Sequence, residues 1–283
     1  MLERLLREIS GQETASTFTF SVVVIDNDST RSADAVVQKC QREPVAGLPE
    51  IVYAVEPNKN IALARNKALS HATGDFIAFI DDDEFPASGW LLNLFRTCER
   101  YRVAGVLGPV KPHFEQEPPH WLIKGGFYQR PAHSTGFVMP WQECRTGNVL
   151  FRRNILDLTE PFRPEFGMGG EDQDFFRRMI ERGHRFIWCD EAVVYEVVPP
   201  ARWTRRFMIH RALFRGRNTF RHRKHRVRNL LRSVIAVPAY ALALPVLLLA
   251  GHHYFMKYLV KLADHLGRLL ASVGLNPVTE RRM

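Results

Sequence analysis

The sequence predicts an α/β protein: a sheet covered by helices, followed by a basic and apolar helical tail. Three observations carry that reading. Strand-like and helix-like segments alternate over the first two-thirds of the chain, which by itself implies a parallel sheet with helices on its faces. The densest acidic cluster, Asp81-Asp82-Asp83-Glu84, follows directly on the apolar run Phe76-Ile77-Ala78-Phe79-Ile80, so it sits where a buried strand emerges. The net charge of +9 is also divided: residues 1–196 hold 22 Lys/Arg and 28 Asp/Glu, whereas residues 197–283 hold 17 and 2.

In chain order, residues 1–7 form an amphipathic helix and lack the apolar core and cleavage site of a secretory leader. Residues 20–25 (Phe-Ser-Val-Val-Val-Ile) read as a buried strand, 32–40 as a helix and 51–55 as a strand. A helix over 61–72 and a strand over 75–80 follow. In open sheets of this type ligands bind beyond the carboxyl ends of the strands, so Asp26 and Asp81 to Asp83 are expected on one rim. Four adjacent carboxylates repel one another unless water, basic side chains or a hard, oxygen-liganded cation offsets them. A solvated acidic turn ahead of a helix is the alternative.

Residues 108–140 break into Pro, Gly, His and aromatic residues, an irregular stretch of the kind that is functional or mobile. Gly167-Met168-Gly169-Gly170 then leads into Glu171-Asp172-Gln173-Asp174, a helix with acids in its first turn. Either a positioned carboxylate or ordinary helix capping explains that placement. After Pro199-Pro200, residues 202–228 hold eleven Lys/Arg and no acid, interleaved with apolar residues at helical spacing. Residues 233–251 carry no charge, but Pro238 and Pro245 interrupt them, which favours a kinked or re-entrant segment over a straight span. Residues 252–273 read as an amphipathic helix with Lys257, Lys261 and Arg268 outside an apolar stripe of Phe255, Leu259, Leu262, Leu266 and Leu269.

A composition of 46% hydrophobic residues excludes disorder. Cys40, Cys98, Cys144 and Cys189 are widely separated, form no metal-binding pair, and read as reduced thiols.

Five segments in order resemble the family 2 glycosyltransferases: Val24-Ile25-Asp26-Asn27-Asp28-Ser29, Asn60-Ile61-Ala62-Leu63-Ala64-Arg65-Asn66, the run from Gly74 through Asp81-Asp82-Asp83-Glu84, Gly147-Asn148-Val149-Leu150-Phe151-Arg152-Arg153, and Gly170-Glu171-Asp172. The resemblance covers residues 22–196. It implies the GT-A fold, a Rossmann-like mixed sheet with flanking helices, and transfer of a sugar from a nucleotide diphosphate donor. It further implies that Asp26 contacts the base or ribose and Arg65 the diphosphate. Asp81 and Asp83 match the family's Asp-x-Asp motif and would hold Mg²⁺ or Mn²⁺, with Asp81 nearer the ribose and Asp82 beside it in the nucleotide site. Gly147 and Asn148 would line the donor sugar pocket, Asp172 would be the base, and residues 111–139 with Trp141 could wall the acceptor site. Family members begin with a strand ahead of a helix like residues 2–9. That strand is expected to be missing here, through truncation or a late-assigned start, with poor soluble activity as the consequence.

Two domains are expected: a catalytic one over 1–196 and a membrane-association region over 197–283. The tail reads as attachment to an anionic membrane surface at the cytoplasmic face of the inner membrane. A saccharide or lipid-linked acceptor fits that location, as in cell-surface polysaccharide synthesis. A nucleic-acid-binding protein using residues 202–228 on phosphates is a rival, and the uncharged segment after Arg232 speaks against it. A metal-dependent phosphatase or nuclease on the same acidic rim is another, which requires a second ligand set.

Overall fold

The computed structural model describes residues 1–42, 49–156, 159–167, 169–221, 226–275 and 278. In chain order the elements are α1 (Leu2–Ser10), β1 (Val22–Asp26), α2 (Asp34–Arg42), β2 (Ile51–Val55), α3 (Ile61–His71), β3 (Phe76–Ile80), β4 (Glu84–Pro86), α4 (Trp90–Tyr101), β5 (Gly105–Leu107), β6 (Val110–His113), α5 (His120–Lys124), β7 (Asn148–Arg152), α6 (Glu171–Glu181), β8 (Phe186–Trp188), β9 (Val194–Val197), α7 (Arg205–Arg221), α8 (Arg226–Ala250) and α9 (His252–Ser272). They divide into two compact units, one of residues 1–113 and 130–197, the other of residues 114–129 and 198–283. The boundary expected after Glu196 is thus crossed by residues 114–129, which pack with the C-terminal residues.

In the first unit β1 and β2 pair in parallel, Val22 opposite Ile51 through Asp26 opposite Val55. Leu6 of α1 and Val37 of α2 cover this pair against Ile51. A four-stranded sheet follows in the order β3-β7-β5-β8, and short strands build a third sheet, β4-β9-β6. Alternation alone implies a parallel sheet; the sheet is mixed, as the resemblance to the GT-A fold implies. β7 runs antiparallel to both β3 and β5, while β5 and β8 are parallel. A strand buried on both faces has the same apolar composition in either direction. Its direction is decided by the route the chain takes to reach it, and β7 is reached through the irregular stretch after β6 rather than through a helical crossover.

The side-chain period of two sends alternate residues of this sheet into opposite layers. Val149 and Phe151 of β7, with Phe186 of β8, join Phe162, Phe175, Phe176 and Met179 on one face. Leu150 and Ile187 join Trp90, Leu94, Cys98 and Val194 on the other. Phe151, Phe162, Phe175, Phe176 and Phe186 are fully buried, and truncating any one to Ala is expected to cost about 3–5 kcal/mol.

In the second unit, Leu122 and Tyr128 from the irregular stretch pack with Val198, Trp203 and Met208. The Tyr128 hydroxyl donates to the Arg202 carbonyl at 2.8 Å. α9 packs against both α7 and α8. The α7–α9 crossing requires glycine: a Cβ on Gly216 would lie 2.0 Å from the Asp264 carbonyl oxygen, and one on Gly267 2.2 Å from that of Leu213.

One tail expectation is corrected, at Arg268. α8 continues as one helix through Pro238 and Pro245. Each proline removes one hydrogen bond, and the Ala/Leu-rich flanks are strong helix formers that carry the helix across the gap. On α9, Lys257 and Lys261 are exposed, but the Arg268 side chain is only 11% exposed. It turns in to Asp264 at 2.8 Å and to the Ser233 hydroxyl at 3.0 Å, because the buried helix contact supplies it with partners.

Candidate active site

The residues singled out for the nucleotide, the metal and the base fall in the first unit, and α3 joins them, whereas residues 114–129 of the stretch expected to wall the acceptor site belong to the second unit. Its N-cap, Asn60, accepts from the amides of Ala62 and Leu63, while its amide donates to the Pro164 carbonyl at 2.9 Å. The Asn60 backbone N–H donates to Asn27 Oδ1 at 3.0 Å, and the Asn27 amide donates to the Glu56 and Asn58 carbonyls. The exits of β1 and β2 are therefore laced to the start of α3, on which Arg65 stands one turn later.

Asp26 is buried and its carboxylate is engaged internally. It accepts from the backbone amides of Asp28 (3.1 Å) and Ala33 (2.7 Å) and from the Tyr53 hydroxyl (3.1 Å). Burial and the bond to Asp26 raise the Tyr53 pKa. Asp26 thus fixes the loop that leaves β1.

Arg65 connects the acidic turn to α6. One terminal nitrogen contacts Glu171 Oε1, and the other lies 3.7 Å from Asp81 Oδ1. The strand end and the helix N-terminus therefore meet across a single guanidinium, whose plane also approaches Phe162 at 5.7 Å. Glu171 is 4% exposed, and its second oxygen, Oε2, is buried without a hydrogen-bond partner.

Asp81 and Asp82 are exposed in the turn, Asp83 is half-buried and Glu84 is buried. Glu84 accepts from the Asp81 backbone amide at 3.2 Å. Burial pushes the Glu84 carboxyl well above its usual range; Asp81 adds to the shift, and the Asp81 amide and Arg130 oppose it. Surrounding protein raises Asp81 as well, with Arg65 opposing and Asp83 and Asp82 adding to the rise. About half of the Asp81 side chain (51%) meets solvent, so water screens part of that penalty.

Gly147 faces this carboxylate pair. A Cβ there would lie 2.9 Å from Glu84 Oε1 and 3.1 Å from Asp81 Oδ2, so only glycine leaves the space beside them open. Asn148, expected to line a sugar pocket, is instead 2% exposed and turned inward. It accepts from Trp90 Nε1 at 2.8 Å and donates to the Pro109 and Ala192 carbonyls at 3.0 and 2.8 Å. All of its strong hydrogen-bonding groups are engaged in bracing the sheet, so any influence on a ligand is indirect.

Asp172 lies in the first turn of α6, next to Glu171, with its side chain 17% exposed and Arg145 Nε 3.9 Å away. Asp174 is different. It is buried and paired with Arg177 and Arg178 at 2.8 Å each, so the capping and packing alternative accounts for it. Glu171 and Glu84 stand within the motifs without a role that the sequence assigns; a buried acid beside an exposed one is invisible to composition. Asn27 stands in the first of the family-like segments, and Arg145 carries no sequence signal.

These acids fit a hard divalent cation. Among the described residues no three His, Cys, Asp or Glu side chains are grouped to hold an ion unaided. Mg²⁺-type ions take one or two carboxylates and complete their shell from substrate phosphates and water, which is what an exposed Asp81–Asp83 turn beside an open glycine offers. A cleft of about 600 Å³ lies at the opposite end of β3, lined by Asp75, Phe76, Arg152, Arg153 and Asn154, and contains none of these acids.

Residues 1–158 match the model of glycosyl transferase family 2. The succinoglycan biosynthesis protein ExoM of Rhizobium meliloti is 38% identical over 207 residues, covering 71% of this chain and 64% of its own length. A pre-mycofactocin glycosyltransferase of Mycobacterium tuberculosis is 29% identical over 207 residues, covering 68% of this chain and 39% of its own. The chain thus spans less than two-thirds of either relative. Among solved structures, a Pyrobaculum calidifontis mannosyltransferase in complex with GDP-Man and Mn²⁺ superposes with a TM-score of 0.62 at 21% identity, covering 95% of this chain and 83% of that one. Staphylococcus aureus TarS 1–349 in complex with UDP does so at 0.54 and 18%, covering 99% and 90%. With the family's model spanning more than half of the chain and its fold recurring in these neighbours, the protein belongs to glycosyl transferase family 2 and has the GT-A fold.

Proposed function

We propose that this protein is an inverting glycosyltransferase. It moves a sugar from a nucleotide diphosphate donor, a UDP-sugar in the first instance, to a hydroxyl of a saccharide or lipid-linked acceptor in cell-surface polysaccharide synthesis. The observation that carries this reading is the Arg65 bridge, which brings the acidic turn and the helix start bearing Asp172 to one place. The likeness to a succinoglycan biosynthesis protein supports the polysaccharide assignment, and a TarS structure holding UDP-GlcNAc supports the donor class.

In this reading Asp172 accepts the proton of the acceptor hydroxyl as its oxygen bonds to the anomeric carbon and the bond to the diphosphate breaks. Attack opposite the leaving group inverts that carbon. A divalent ion, Mg²⁺ or Mn²⁺, held by Asp83 and Asp81 would neutralise charge on the departing nucleoside diphosphate. Arg65 would add a fixed positive charge, Asp82 and the loop set by Asp26 would border the nucleotide, and Gly147 would leave room for the sugar. Asn148 would act by bracing the strand behind it.

The second unit attaches the enzyme to the cytoplasmic face of the inner membrane. Its support is the basic excess together with α8, whose residues Val227–Ala250 form a helix long and apolar enough to cross a bilayer.

The test is a thermal-shift screen of nucleotide sugars with and without Mn²⁺, followed by transfer assays. Asp83→Asn should abolish metal-dependent stabilisation by donor, and Asp172→Asn should keep donor binding and lose transfer. Equal loss of binding in both would undo the assigned roles. Release of free phosphate without sugar transfer would favour the phosphatase reading instead.

A further inference from the structure

The register of the α8–α9 hairpin bears on how it can meet a membrane. Ser233 Oγ lies 2.9 Å from His265 Nδ1, and the rings of Tyr240 and Tyr258 are 5.5 Å apart, so the two helices run antiparallel with those residues opposite each other. In that register Lys257 and Lys261 stand beside the middle of the Val227–Ala250 stretch. Both lysines are exposed. The ion pair of Asp264 and Arg268 lies further along the same helix. If α8 crossed a bilayer with α9 packed on it, two lysines would sit near the bilayer centre, where charged side chains are disfavoured.

The outer face of α8 has the complementary pattern. Val227, Leu231, Val234, Ile235, Leu242, Val246 and Leu249 are each more than half exposed, from 58% for Val234 to 90% for Leu249. At 100° per residue they form one stripe opposite the buried Ser233. The stripe runs the whole length of the helix, past Arg228 and Arg232 near its N-terminal end; residues 233–250 are uncharged on every side, so it is the lysines of α9 rather than the composition of α8 that oppose a crossing. Pro238 and Pro245 lie in the same stripe and cannot donate to the carbonyls of Val234 and Ala241. At an interface those carbonyls can be met by water or headgroups.

We infer that the α8–α9 hairpin lies in the plane of one leaflet of an anionic phospholipid membrane. The Leu231–Leu242–Leu249 stripe is immersed at the boundary of headgroups and acyl chains, and α8 does not cross. α9, about 8–10 Å behind α8, keeps Lys257 and Lys261 at headgroup level beside Arg228 and Arg232. This rests on the membrane attachment proposed above and specifies its geometry.

The experiment uses the full chain with Cys40→Ser, leaving three buried cysteines, and single cysteines introduced at Leu231, Leu242 or Leu249. Each is labelled with an environment-sensitive fluorophore and bound to phosphatidylglycerol-containing vesicles carrying lipids brominated at graded depths. In-plane docking gives all three labels the same shallow depth. A profile with Leu242 deepest and the two flanking sites near opposite surfaces would overturn the inference while leaving membrane attachment intact. Labels shielded from lipid but cross-linking between copies would also overturn it, in favour of a helix-mediated dimer. Failure to bind any vesicle, with native circular dichroism, would bring down the attachment reading and the docking together. As a second variant, Arg228→Gln/Arg232→Gln should weaken binding to anionic vesicles roughly 30-fold, from about fivefold per basic residue.

Discussion

Replacing Arg65 by Gln removes the cation that holds Glu171 and faces Asp81. The Arg65 side chain is 14% exposed and that of Glu171 6%, so solvent cannot take over the pairing. Glu171 Oε2 already lacks a partner, and after the substitution the whole carboxylate would be buried without a countercharge. Breaking a buried pair from one side costs about 3–5 kcal/mol, against 0–1 kcal/mol for an exposed pair. Taking about 3 kcal/mol, and about 2–4 °C per kcal/mol for a domain of this size, the melting temperature should fall by roughly 6–12 °C. Urea unfolding of the wild type, Arg65→Gln, Glu171→Gln and the double variant closes a double-mutant cycle. The double variant should be more stable than Arg65→Gln alone, because the orphaned charge has gone, with a coupling of about 2 kcal/mol. Additive effects, or an Arg65→Gln variant within about 0.5 kcal/mol of wild type, would refute the bridge as the tie between the acidic turn and α6.

Three further outcomes follow from the site and its surroundings. Gly147→Ala places a methyl about 3 Å from two carboxylates; it should cost about 1–3 kcal/mol in chemical denaturation and depress donor binding in a thermal-shift titration. Asn148→Ala takes the acceptor from the buried Trp90 indole N–H and a donor from the Ala192 carbonyl, while the Pro109 carbonyl keeps the Val194 N–H; a loss of about 2–3 kcal/mol is expected by urea unfolding. Burial pushes the Cys144 thiol up to about 12 and Cys98 to about 11, and raises Cys189 as well. A raised thiol pKa means scarce thiolate below it, so at pH 8 only the half-buried Cys40 should react quickly with iodoacetamide; mass spectrometry should find the other three modified only after unfolding.

Much of the first unit is readable from residue order. The runs ending at Asp26 and at Ile80 are β1 and β3, and the acidic cluster lies in the turn beyond β3 because apolar strand and polar turn differ sharply in composition. The direction of β7 is not readable, since burial on both faces erases any mark of orientation. The sheet of β4, β9 and β6 escapes notice because its strands are three or four residues long, below the length at which a period of two stands out. Within the site, local motifs point to Asp81, Asp83 and Asp172, yet the tie between them is a contact between Arg65 and Glu171, 106 positions apart. The inward turn of Asn148 likewise depends on Trp90, Pro109 and Ala192 arriving from distant segments. The helical path of α8 through two prolines shows local propensity overriding a breaker whose cost is confined to one face.

The excursion of residues 114–129 means that the backbone passes between the two units three times, after His113, after Gln129 and after Val197. A stop codon placed after Val197 would not deliver a self-sufficient catalytic piece. It would strip Leu122, Trp121, Phe127 and Tyr128 of the residues that bury them and leave a greasy loop on an otherwise intact sheet. Soluble expression of the enzyme half therefore calls for excising that loop together with the tail, joining His113 to Arg130 through a short hydrophilic linker.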